Sequence, residues 1–234
     1  MRILAIGDLH CPAEHPGYLQ FCLDLYDQWE CNEVVFIGDV VDHHAISFHA
    51  ANPHCPGPKD EYELSCLSIK KWYDAFPTAK VALGNHDLRI VRLAESVKIP
   101  KLYIKDFNDT WKTPTWEWDY EFLLDDVVYF HGEGTSGIHP AWNAITKKMK
   151  SVVMGHCHSR SGVKWMTTKH ERFFGMDTGC GICSDAWQFA YGKNHLVRPF
   201  ISAGVVIDGH PYSEAMPCGI KELYHRSNFK QERV

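Results

Sequence analysis

Five short segments of this 234-residue chain carry side chains of the types a two-metal site needs: Asp8-Leu9-His10, Gly38-Asp39-Val40-Val41-Asp42, Gly84-Asn85-His86-Asp87, His131-Gly132 and Gly155-His156-Cys157-His158. Carboxylate, amide and imidazole together make a mixed oxygen and nitrogen donor set suited to divalent transition metals. Asp8 and His10 stand two apart where a strand should end, so both are able to converge on one ion. Asp39 follows a glycine that lets the backbone turn, and one carboxylate is enough to bridge two cations about 3.5–4 Å apart. Asn85 offers a neutral carbonyl oxygen, and His131, His156 and His158 offer imidazoles. That gives three or four protein groups per metal with Asp39 shared, and leaves positions for water and substrate, as in catalytic metal sites. Each segment alone has a plainer reading: a turn for the Gly84 segment, a core imidazole for His131. All five in one order, each closing an apolar run, do not reduce to those readings.

The elements that must position these groups are legible as alternating periods. Residues 2–7 and 34–37 are continuous apolar runs, as expected of strands buried on both faces. Val81-Ala82-Leu83 predicts a third strand. Between them, Leu19, Cys22, Leu23, Tyr26 and Trp29 repeat at helical spacing over 17–30, and Leu64, Leu67, Lys71 and Trp72 do so over 60–75. Leu88 to Val97 reads as a helix stopped before Pro100. This alternation is the βαβ signal of a mostly parallel sheet, and strand ends of such folds are where ligands bind. In the second half, 117–123 and 127–130 predict a hairpin across Asp125-Asp126, 139–149 a helix and 151–154 a strand. Short β segments follow at 163–167, 172–176, 200–207 and 211–215, with Asp208-Gly209 as the last turn. The expectation is an α/β protein, one domain over 1–234, built from a sheet pair with helices outside. Two long loops are expected, 43–60 with His43, His44 and His49, and 106–118 with Trp111, Trp116 and Trp118. Those tryptophans read as a satellite hydrophobic cluster or, if exposed, as an oligomer contact.

Composition narrows the function classes. Hydrophobic content of 45% and charged content of 23% are those of an ordinary soluble globule. The net charge of -5 offers no basic stripe, which argues against long duplex nucleic acid as a partner. No segment approaches a membrane span, and the opening apolar stretch is too short for a signal peptide. The nine cysteines, odd in number and scattered, point to reduced thiols in a cytoplasm rather than a disulfide framework. Cys180 and Cys183 form a lone CxxC with no second pair of matching spacing, so a zinc or redox role rests on little.

Together the five segments resemble the calcineurin-like metallophosphoesterase superfamily, from Asp8 to His158. The Gly-His-x-His segment and Gly175-Met176-Asp177-Thr178-Gly179 are similar to small bacterial and phage phosphodiesterase-type members, which would place the protein in a host cytoplasm if phage-encoded. The resemblance implies a four-layer α/β/β/α sandwich of two mixed sheets flanked by helices. It implies that Asp8, His10 and His158 hold one metal, that Asn85, His131 and His156 hold the other, and that Asp39 bridges. His86 is then the general acid toward the leaving group, oriented by Asp42, and a bridging hydroxide is the nucleophile. The expected ions are two Mn²⁺, with Fe, Zn, Ni or Co as alternatives. The chain departs from many phosphomonoesterases of the superfamily at one point. His43 and His44 follow Asp42 where those enzymes place an Arg that clamps a terminal phosphate. That tilts the expectation toward small, nucleotide-like or other diesters, with Arg89, His44 or Arg160 as stand-ins for the missing clamp. A phosphomonoesterase, a nuclease and a non-catalytic scaffold of the same fold are the alternatives.

Overall fold

Residues 1–48, 52–189 and 197–217 are described by a computed structural model of the chain. Strand β1 (Arg2–Ile6) runs between β2 (Glu33–Phe36), to which it is parallel, and β10 (Ser202–Ile207), to which it is antiparallel. It is covered on both faces, which is why its sequence is continuously apolar rather than alternating. Its side chains still divide by the period of two: Leu4 and Ile6 pack with the helices, while Ile3 and Ala5 face the second sheet. Parallel β3 (Ala79–Ala82) and β4 (Trp116–Asp119) extend one edge, and β11 (His210–Ala215) pairs with β10 to form the other. The turn at Asp208-Gly209 has positive φ at both residues, 46° and 75°, which suits a two-residue hairpin.

The second sheet has the order β5 (Glu121–Leu124), β6 (Val127–Phe130), β7 (Ser151–Met154), β9 (Arg172–Thr178), β8 (Ser161–Thr167). Val127, Tyr129, Val153, Phe174 and Met176 meet the inner face of the first sheet, and Val128, Val152, Met154 and Phe173 pack outward on helix α5 (Pro140–Lys148). Helices α1 (Tyr18–Gln28) and α2 (Pro58–Ala75) cover the other outer face, and α3 (Arg89–Ser96) follows β3 as the spacing predicted. Two mixed sheets between helical layers result, the four-layer architecture the sequence resemblance implied.

Three expectations need correction. The segment 117–123 is not one arm of a hairpin. Trp116–Asp119 joins β3 in the first sheet, the chain crosses at Tyr120, and only Glu121–Leu124 pairs with β6. Nor is 106–118 a loop. Asp106 caps a short helix, α4 (Phe107–Trp111), by accepting from the Asp109 amide at 2.7 Å. Trp111 and Trp116 are core residues, 4% and 1% exposed, and the Trp116 indole donates to the Phe76 carbonyl at 2.8 Å. Trp118, half-buried, stacks on Phe107, so this segment offers no exposed tryptophan for an oligomer contact. In α2 the inward stripe is Glu61, Ser65, Ser68, Ile69 and Trp72, while Leu64 and Leu67 are exposed. Small serines let the helix approach the loop after β1, where the Ser65 hydroxyl donates to the Cys11 carbonyl at 3.0 Å and Ser68 bonds Glu14. In the first long loop, His44–Ile46 form a 3-10 turn and α2 begins at Pro58, while His49 lies outside the described residues.

Candidate metal centre

The five segments leave the C-terminal ends of β1, β2, β3, β6 and β7, neighbours in the two stacked sheets, and so their side chains meet at one rim. The first two are tied together by main chain: His10 N–H donates to the Asp39 carbonyl at 2.8 Å and Cys11 N–H to that of Val40 at 2.9 Å. Asp87, fully buried, ties in the third by accepting from the amides of Val41 (3.2 Å) and Gly84 (2.9 Å). A Cβ at Gly84 would overlap the Asp39 carboxylate, and one at Gly155 would sit 2.9 Å from Asp8 Oδ1. These two glycines therefore make room for the two buried carboxylates. His10, Asp39, His43 and His156 all have left-handed backbone, with φ of 52°, 46°, 49° and 68°. Such non-glycine residues cost about 1–3 kcal/mol each and concentrate at functional sites.

The Asp39 carboxylate stands between two groups of donors. On one side His10 Nε2 lies 3.6 Å from Asp39 Oδ2 and 3.1 Å from His158 Nε2. On the other, His131 Nε2 lies 3.3 Å from the same oxygen, 3.0 Å from Asn85 Oδ1 and 3.1 Å from His156 Nδ1. The outward nitrogens of two rings are already engaged. His10 Nδ1 meets Asp42 Oδ1 at 2.7 Å and His131 Nδ1 meets the Ile37 carbonyl at 2.8 Å, so both Nε2 lone pairs point inward. Asp8 accepts the His156 amide at 2.8 Å through Oδ2, which is also 3.8 Å from His158 Nε2. Its Oδ1 is buried with no hydrogen-bond partner among the described residues, His131 Nδ1 lying 3.4 Å away.

This donor set fits divalent cations. Paired imidazole nitrogens at 3.1 Å repel unless a proton or a cation lies between them, and an orphaned buried carboxylate oxygen is costly without one. Among the described residues, His10/Asp39/His158 and Asp39/His131/His156 each bring three ligand atoms within 4.8 Å of one another, with Asp39 common to both, and a third group, His10/Asp42/His86, shares His10. Electrostatics agree. Burial opposes ionisation of Asp39, but the rings of His131, His86 and His10 outweigh it and hold the carboxyl well below the usual range. Burial likewise opposes charge on His131, yet Asp39 and Asp8 raise it to about 10. Burial and the neighbouring rings lower His10 and His158. The field of the site thus favours positive charge close to Asp39.

His86 sits beside this cluster, its amide donating to Asp39 Oδ1 at 2.7 Å. Its Nδ1 is 2.6 Å from the Asp42 carbonyl and 3.2 Å from Asp42 Oδ1. Asp42 therefore meets both rings, its carboxylate nearer His10 and its carbonyl nearer His86. Arg89 lies against the same turn. It donates to the carbonyls of Asp42 and His43, both at 2.9 Å, and its other terminal nitrogen is 3.1 Å from His86 Nε2. Two of its N–H groups thus hold backbone, a use that its type and position did not signal. His44 is turned elsewhere: its Nε2 accepts from Asn52 at 3.1 Å and its Nδ1 is 3.9 Å from Asp42 Oδ2. The Arg160 guanidinium donates to its neighbour Ser159 at 3.4 and 3.5 Å. Cys180 is buried with Sγ 3.5 Å from the His158 carbonyl, and burial pushes its thiol upward, opposite to a reactive thiolate.

Two residues went unread in the sequence, and a third, Asp87, was read only as part of its segment. Phe189 packs edge-on to His10, with centroids 5.4 Å apart, 31 residues after the last ligand. Glu61 is buried on α2 and accepts the amides of His44 (2.6 Å) and Ala45 (2.9 Å). Asp87 ties the loops as described. For Glu61 the available signal was an acid on the inward face of a helix.

The calcineurin-like phosphoesterase family model matches residues 1–189 of the chain. No curated protein matches it. Solved structures similar to it include the phosphoesterase Yfce from E. coli, with 14% identity, 88% of each chain covered and a TM-score of 0.41. Nuclease MPE from Pseudomonas putida is 13% identical, covering 92% of this chain and 87% of that one, with a TM-score of 0.38. Wild-type Vps29 from Entamoeba histolytica complexed with Zn²⁺ is also 13% identical, covering 92% and 98%, with a TM-score of 0.42.

Proposed function

This chain belongs to the calcineurin-like phosphoesterase family, and from that premise we propose that it hydrolyses small phosphodiesters, of nucleotide-like or related kind, with two divalent cations. Asp8, His10 and His158 would hold one cation, Asn85, His131 and His156 the other, and Asp39 would be shared. The observation that carries this reading is the position of Asp39, whose carboxylate belongs to two separate three-donor groups. Bound there, the ions supply positive charge to the phosphoryl oxygens and lower the pKa of water.

The chain's own residues do the rest. A water oxygen bonds to phosphorus as the bond to the leaving ester oxygen breaks, and that oxygen takes up a proton. His86 is placed to give it. Its Nδ1 is held by the Asp42 carbonyl, which fixes the ring, and Nε2, next to Arg89, is the nitrogen that would carry the proton. Burial opposes protonation of the ring, as does Arg89 3.1 Å from that nitrogen, but Asp39 and Asp42 favour it and the net shift is upward. Two N–H groups of Arg89 are committed to carbonyls, and His43 replaces the Arg that would grip a terminal phosphate dianion. Both features favour diesters over monoesters.

The test is elemental analysis of the purified protein, followed by turnover of a diester and a monoester panel with Mn²⁺ added back. About two equivalents of metal and preference for diesters are expected. One equivalent, or preference for monoesters, overturns the corresponding part of the reading.

A further inference from the structure

Helix α3 starts at Arg89, against the candidate centre, and the nine residues after its end, Val97 to Lys105, form a ridge. Four large apolar side chains of this ridge stand in solvent: Val97 is 62% exposed, Ile99 44%, Leu102 79% and Tyr103 75%. Leu102 is the most exposed large apolar residue among the described ones. Main chain holds them there. The Ile99 amide donates to the Ala94 carbonyl at 2.8 Å and the Lys98 amide to that of Glu95 at 2.9 Å, which closes α3 with Lys98 in left-handed backbone, φ 64°. After Pro100 a 3-10 turn spans Lys101–Tyr103, with the Tyr103 amide on the Pro100 carbonyl at 3.0 Å and the Ile104 amide on that of Lys101 at 2.9 Å. Exposed apolar side chains grouped in this way mark a surface of contact.

Charge says what kind of partner it meets. Lys98, Lys101 and Lys105 alternate with the apolar residues, are exposed, and pair with no carboxylate among the described residues. No acid lies within 97–105, in a chain whose formal net charge is -5. Glu95 and Asp106 flank the stretch, and Asp106 is held by the Asp109 amide. On one side the ridge borders a cleft of about 1060 Å³ walled by Tyr62, Phe107, Trp111 and Trp118. The cleft has the opposite sign: Glu61, Asp106, Glu117 and Asp119 line it against Lys101 and Lys105. An acidic peptide is therefore repelled from the groove in which it would lie. A second copy of the chain, ridge against ridge, brings lysines against lysines. A flat, fluid, anionic surface meets neither obstacle. It reaches the lysines from outside, stays out of the cleft, and yields to side chains that project.

We propose that residues 97–105 seat the protein on the surface of an anionic lipid bilayer, with Leu102 and Tyr103 entering among the headgroups and Lys98, Lys101 and Lys105 lying at the lipid phosphates. The contact is peripheral and reversible, and it needs no membrane span. It does not depend on the chemistry of the metal centre.

The test is flotation of the full chain with vesicles of phosphatidylglycerol and phosphatidylcholine in equal parts, and with vesicles of phosphatidylcholine alone. Binding to the mixed vesicles is expected, weakening as salt rises, with little binding to the neutral ones. Leu102→Ser together with Tyr103→Ser should weaken it at least about tenfold through lost apolar burial. Lys98→Gln, Lys101→Gln and Lys105→Gln together should weaken it about a hundredfold, about fivefold for each lysine. All five side chains are exposed, so both variants should keep the wild-type circular dichroism spectrum and metal content. A chain that does not float with the mixed vesicles, or that floats equally well with the neutral ones, overturns the proposal. So does flotation that either variant leaves unchanged. Capture of a glutamate-rich peptide without flotation assigns the ridge to a protein partner and overturns the lipid reading.

Discussion

The metal-donor floor and the aromatic flank beside it are built on opposite principles. The floor is polar, buried and backbone-strained. Its ligands sit on strand ends, four of its residues adopt left-handed backbone, and its carboxylates are packed against glycines. The flank is apolar, assembled from helix faces and a short turn, and its aromatic rings meet in ordinary packing. Strain is tolerated on the floor because the two sheets behind it over-determine the loops. The lesson is a separation of duties: the rigid floor gathers the polar donors, and the flank is ordinary aromatic packing beside it.

Several changes would break or sharpen that contrast. The largest effect belongs to Asp39→Ala, which should lower occupancy of both metal positions together and abolish turnover. Loss at one position alone, read by elemental analysis, would mean that Asp39 does not serve both groups. Next comes His86→Ala. Turnover should fall by roughly 10²–10⁴ with metal content intact, and an unchanged rate would remove this ring from proton transfer. On the flank side, Trp116→Ala should cost about 3–5 kcal/mol of stability in chemical denaturation, the usual range for a buried tryptophan, while leaving metal stoichiometry at its wild-type value. A coupled loss of metal would mean that floor and flank are one unit. Mn²⁺ at about 100 times its Kd should raise stability by about 2.7 kcal/mol if only the folded chain binds it, and thermal melts with and without chelator measure this directly. The smallest change is Asp42→Asn, expected to lower metal affinity by about 10–100-fold through the brace on His10. An unchanged affinity, with a reduced rate alone, would assign Asp42 wholly to His86.

Much of the floor was legible before any coordinates. Asp8, His10, Asp39, Asn85, His131, His156 and His158 are of metal-binding types, each closes an apolar run, and parallel strands gather their ends at one rim. Their arrangement about Asp39 was less legible. The partner of Asp42 depends on a distance across two loops, 2.7 Å to His10 and 3.2 Å to His86, which spacing along the chain does not encode. Arg89 read as a substrate clamp because its guanidinium suits phosphate, but local carbonyls occupy much of it. The flank was read least well. A tryptophan-rich stretch without clear period looks like a loop, and only packing against α2 and β3 shows Trp111 and Trp116 to be core.

By itself, the sequence determined the order and type of most strands and helices, because periods of two and 3.6 are local properties of the chain. It also determined the donor chemistry of the floor, because residue type is local as well. Tertiary structure alone decided which sheet each strand joins, so that Trp118 and Phe122 lie in different sheets despite standing four residues apart. It also decided which face of α2 turns inward, where two serines displaced two leucines. Such choices minimise empty interior volume and unpaired polar groups over the whole molecule, and no window of neighbouring residues contains that sum.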